Sequence, residues 1–157
     1  MGRPLVAHPP SERLVARMAA AVRHWHGYLW AGSSEALRGR PSQLNLDPSF
    51  RPDRPPLQMG YYLNVRPEAD RTWTEVEDVM AWMIATYERH RPATREDGKQ
   101  TWPDFEQRQE TTRDGLVNGV DGCWQYNTSP GSEVVITAIC CPHSHLRTLS
   151  CPMPPRS

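Results

Sequence analysis

Lysine is nearly missing from this chain. Of 18 basic residues only Lys99 is a lysine, and the rest are arginines scattered along the sequence. That scatter fits a coding bias better than selection for bidentate anion recognition, which guanidinium performs better than ammonium. Net charge is missing too, since 18 acidic residues balance the basic ones. Neutrality removes the usual reason to expect a nucleic-acid partner, because phosphate binding calls for clustered positive charge. No apolar run reaches the roughly 18 residues that a membrane span needs. No apolar stretch precedes the first charges, so no secretory leader is read, and the expected compartment is the cytoplasm, where thiols stay reduced. There is no phosphate-cradling glycine loop, no G-x-S-x-G and no H-E-x-x-H, so no motif names a reaction.

What the chain does have is proline. Sixteen prolines in 157 residues and a mean hydropathy of −0.69 predict a modest single core with long irregular connections. Residues 1–10 read as a tail, 11–146 as one domain and 147–157 as a proline-rich tail.

Ser11 looks like a helix N-cap after Pro10. Leu14, Met18, Val22, Trp25 and Leu29 then recur at helical spacing, predicting one amphipathic helix from Ser11 to about Gly32. On such a helix His24 and His26 do not share a face. The surplus of large side chains points to Arg23, Trp25, His26, Tyr28 and Trp30 as a partner surface, since Trp, Tyr and Arg dominate interfaces. The plainer reading keeps Trp25 and Leu29 in the core and the histidines in water.

Residues 39–57 carry five prolines and read as a long loop. Residues 58–65 are β-prone. Thr72 and Glu75 form a capping-box pattern ahead of Trp73, Val76, Met80, Met83 and Tyr87, whose spacing predicts a helix to about His90. A weaker helix is expected over 101–118. Residues 123–128 and 133–141 read as a hairpin around Ser129-Pro130-Gly131-Ser132. Because L-proline suits a tight two-residue hairpin poorly, the expected pairing is Thr128 with Glu133, which puts Cys123 and Cys140 on one face.

All four cysteines and two histidines fall between residues 123 and 151. Cys123, Cys140, His143 and His145 are therefore the candidate metal ligands, with zinc as the ion their donors suit. A thiol nucleophile at Cys140 or Cys141 beside His143 is the related alternative. The plainer reading makes Cys140 and Cys141 small core residues and needs no cofactor. The expected fold is α+β: about three helices on a small, mainly antiparallel sheet ending in a C-terminal hairpin, with a long proline-rich loop. The expected function is a cytoplasmic binding or adaptor protein acting through protein contacts, including self-association. The alternative is a small metal- or thiol-dependent enzyme centred on the Cys/His cluster.

Overall fold

The computed structural model describes residues 9–38 and 54–156, except the side chains of Ala19 and Ala20. Most of the expected N-terminal tail and of the proline-rich loop lies outside those residues. The elements run α1 (Glu12–Ala21), β1 (His24–Ser33), α2 (Ser34–Arg38), a 3-10 turn (Met59–Asn64), β2 (Thr72–Trp73), α3 (Val76–Arg89), α4 (Phe105–Val117), β3 (Gly122–Ser129) and β4 (Ser132–Cys141). One antiparallel sheet forms in the order β2-β1-β4-β3. The fold is α+β with a C-terminal hairpin, as the sequence pattern implies.

The first correction concerns the N-terminal helix. Ser11 does cap it, its Oγ accepting from the Leu14 amide at 3.3 Å, but the helix stops at Ala21. Residues 24–33 are instead a strand, because an aromatic-rich segment alternating Trp25, Gly27 and Leu29 with His24, His26 and Tyr28 suits a pleated surface. The helical stripe is thus cut in two. Leu14 and Met18 stay 48 % and 62 % exposed, while Trp25 is buried in the sheet. β1 then pairs with β4 along its whole length, from His24 opposite Cys141 to Ser33 opposite Ser132.

The second correction concerns 58–65, where a 3-10 turn stands in place of a strand. Its Gly60 packs so close to the C-terminal segment that a Cβ there would meet His143 Nε2 at 2.8 Å. The third is the capping box. Thr72 is spent in β2, and α3 starts at Val76 behind Glu75, whose side chain makes no capping hydrogen bond. The apolar stripe of α3 is as expected, with Val79, Met80, Met83 and Tyr87 buried.

The fourth correction is the hairpin register. Pro130-Gly131 is a two-residue link, with Ser129 opposite Ser132 and a bulge between Asn127 and Ser129. Gly131 sits at φ 78, a conformation glycine adopts without strain. Below the bulge Tyr126 faces Val134, Trp124 faces Ile136 and Cys123 faces Thr137. This differs by one residue from the expected pairing, and one residue exchanges faces.

Two cores result. On the helix side, Trp25, Trp124, Tyr126, Val134, Ile136, Ala138 and Cys140 pack against α3 and Leu116 of α4. Each fully buried large apolar side chain contributes about 1.5–3 kcal/mol of transfer free energy. On the other face, Tyr28, Ile139 and Cys141 pack with Tyr62 and Leu63 of the 3-10 turn, and Leu149 and Cys151 close the edge. Residues 147–156, expected as a tail, lie in part against the sheet.

Candidate metal centre

That second face holds the chemistry. Alternation along β1 points His24 and His26 to one side while Trp25 enters the helix-side core. Cys141 lies directly across on β4, opposite His24. The chain leaving β4 returns Cys151 to the same spot. The four donor atoms, one each from His24, His26, Cys141 and Cys151, lie within 4.8 Å of one another. Among the described residues this is the group of histidines, cysteines and carboxylates compact enough to hold a metal ion.

Hydrogen bonds fix how the rings face. The His24 Nδ1–H donates to the Val22 carbonyl, and His26 Nδ1 bonds Thr72 Oγ1 at 2.9 Å. A carbonyl only accepts, so His24 Nδ1 carries a proton. Both Nε2 atoms turn inward, 3.1 Å apart. Cys151 Sγ stands 3.3 Å from His24 Nε2 and 3.6 Å from His26 Nε2. Such outer bonds to the second ring nitrogen are the usual way a protein orients histidine ligands.

The site is buried: His24 and His26 show no exposed surface and Cys141 is 1 % exposed, with Cys151 half-buried. Burial, and then the neighbouring His24, hold the His26 pKa below its ordinary value, which outweighs the opposing pull of Cys151. His26 is therefore neutral and ready to ligate. The two thiols share a hydrogen bond that pulls them apart in acidity: the donor Cys141 is pushed up and Cys151 is held low, with further bonds from both histidines to Cys151. The arrangement stabilises a thiolate at Cys151.

The expected ligand set is distributed differently. Cys140 points into the helix-side core, where burial raises its thiol pKa. Cys123 is exposed, its Sγ 3.9 Å from Thr137 Oγ1. His143 Nδ1 accepts from the backbone amides of His145 and Leu146 at 3.3 and 3.1 Å, so its Nε2–H donates to Asp121 Oδ2 at 2.8 Å. The other Asp121 oxygen accepts from the Cys140 amide at 2.8 Å. His143 thus ties the end of β4 to the β3 approach, with both ring nitrogens engaged. His145 is exposed. Cys140 and His143 meet through Asp121, and the four do not converge.

The expected partner surface is also redistributed. Trp25, His26 and Tyr28 are buried in β1, and Trp30 is half-buried. Arg23 is exposed and donates to the Val117 carbonyl at 3.0 Å. Sequence reasoning passed over His24, His26, Cys141 and Cys151 as a set. The signal was present in His-x-His, which shares a face on a strand although not on a helix. Comparison with family models, with curated proteins and with solved structures gave no match.

Proposed function

We propose that this protein is a zinc-stapled binding module, in which His24, His26, Cys141 and Cys151 close a tetrahedral site with a structural role. The observation that carries the reading is the convergence of two inward Nε2 atoms and Cys151 Sγ. Nitrogen and sulfur donors drawn this close together suit a single soft cation among them. For Zn–S near 2.3 Å and Zn–N near 2.0–2.1 Å, a tetrahedron needs edges of about 3.3 Å for N–N and about 3.6 Å for N–S. Three of the six edges stand at 3.1, 3.3 and 3.6 Å, and all six lie within 4.8 Å. The soft, neutral donor set suits zinc better than the hard cations that prefer oxygen.

Four protein donors leave no open coordination position, the mark of a structural rather than a catalytic zinc. A contact role is further supported by the apolar residues Leu14, Val15, Met18 and Val22, all exposed on and beside α1. Metal analysis of untagged protein tests the site: one zinc per chain is expected, lost in His26→Ala and Cys151→Ala. Fractional metal in freshly purified protein, equal in both variants, would remove the reading. Light scattering tests the contact role: assembly that Met18→Glu abolishes supports it, and a monomer at all concentrations counts against it.

One observation favours a second reading, thiol chemistry. Cys151 is half-buried, and its thiolate is favoured by Cys141 and the two histidines, the setting of a reactive cysteine. Rapid, saturable modification of Cys151 by iodoacetamide in protein that holds no zinc in vivo would support it. Protection of Cys151 by one bound zinc supports the structural site instead.

A further inference from the structure

We infer that the cleft between β1 and the 65–71 connection binds a small phosphate-bearing anion. The cleft, about 180 Å³, is lined by Tyr28, Trp30, Arg54, Tyr62, Arg66 and Arg71, with Glu68 the single acid at its wall. The chain as a whole is neutral, so three arginines against one carboxylate is a local concentration of positive charge. Among the described residues Arg54, Arg66 and Arg71 make no ion pair. Like charges gathered in a concave wall raise each other's energy, and a bound anion relieves that repulsion.

The walls are fixed before any ligand arrives. The Tyr28 hydroxyl donates to the Val65 carbonyl at 2.7 Å. Tyr28 and Tyr62 stack with ring centroids 4.5 Å apart. The Gly27 amide donates to the Arg71 carbonyl at 2.9 Å, and the Arg71 amide to Glu68 at 3.0 Å. The Arg71 guanidinium rests 5.6 Å over the Trp82 ring, which lies outside the cleft lining, so Arg54 and Arg66 are the arginines the test varies. Preorganised walls cut the ordering cost of binding.

Size and valence select the ligand class. The volume is below that of sites for drug-sized molecules, about 300–1,000 Å³. A carboxylate satisfies one guanidinium fork, whereas a phosphate dianion presents enough oxygens for two or three. The aromatic walls then accommodate whatever small group the phosphate carries.

Titration calorimetry on the zinc-loaded protein, at constant ionic strength, tests the assignment with inorganic phosphate, pyrophosphate and acetate as probes. One-to-one saturable binding of phosphate or pyrophosphate is expected, with acetate at least ten-fold weaker. Arg54→Gln and Arg66→Gln should each weaken binding ten-fold or more, with zinc content and circular dichroism unchanged. Arg95→Gln, at an exposed arginine 3.5 Å from Asp97, should bind as the wild type does. No saturable binding overturns the assignment, as do equal affinity for acetate, wild-type affinity in both cleft variants, or an equal loss in Arg95→Gln. Because zinc content is read in the same samples, failure of the cleft is separable from failure of the metal centre.

Discussion

Removing Cys151 is the sharpest perturbation of the proposed metal centre. Its thiol is 127 residues from His24 and touches both histidines. A bridge between those positions closes a loop of that length, which by the chain-entropy relation constrains the unfolded state by about 5 kcal/mol. Mass action gives a comparable figure: at free zinc a thousand-fold above the dissociation constant, binding adds about 4 kcal/mol. A chain of this size shifts its melting point by roughly 2–4 °C per kcal/mol, so Cys151→Ala should melt about 8–20 °C below the zinc-loaded wild type. The assay is thermal denaturation by circular dichroism, with and without chelator, alongside metal stoichiometry. Chelator should lower the wild type to near the variant and leave the variant unmoved. Cys123→Ala, at an exposed site on β3, should keep both its zinc and its melting point. A Cys151→Ala protein that holds one zinc at wild-type affinity, or a wild type whose melting point ignores chelator, would refute the reasoning.

Other outcomes follow from the same geometry. Because burial lowers the His26 pKa from 6.5, the unfolded chain takes up a proton that the folded chain refuses. The His26 contribution to the stability of metal-free protein is therefore fullest above about pH 6.5 and is lost as pH drops from there towards the lowered folded value; the urea midpoint should decrease from pH 7.5 to 5.5, and His26→Gln should reduce that dependence. Ile136, fully buried in the helix-side core, should lose about 1 kcal/mol as Ile136→Val, read from the urea midpoint. Glu77→Ala breaks the Arg113 pair, whose carboxylate side is 71 % exposed, and should cost less than about 1 kcal/mol in the same measurement.

The parts of the fold legible in the sequence are those decided locally. Val79, Met80, Met83 and Tyr87 repeat with the helical period and are the buried stripe of α3. The apolar run of β4, with buried residues on both faces from Val134 to Cys141, marks the centre of a sheet. What escaped was decided by partners far along the chain. Residues 24–33 fit a helical stripe until β4 is there to pair with them, and Trp25 then faces Cys140. The hairpin link shifts pairing by one residue, which exchanges Cys140 for Cys141 on the face of Cys123. Cys151 lies among prolines with no local pattern, and only tertiary packing places it beside His24.

The pairing of β1 with β4 has a consequence for how the chain divides. A cut in the connection between α2 and the 3-10 turn would leave two pieces, one bearing both imidazoles and the other both thiols of the centre. Neither piece alone could complete a four-donor site, yet their strands are complementary along the whole of β1. Zinc would then act as a clasp between separate polypeptides, making reassembly of the halves metal-dependent. On the proposed zinc reading, reassembly of the two pieces would then be switched by chelation.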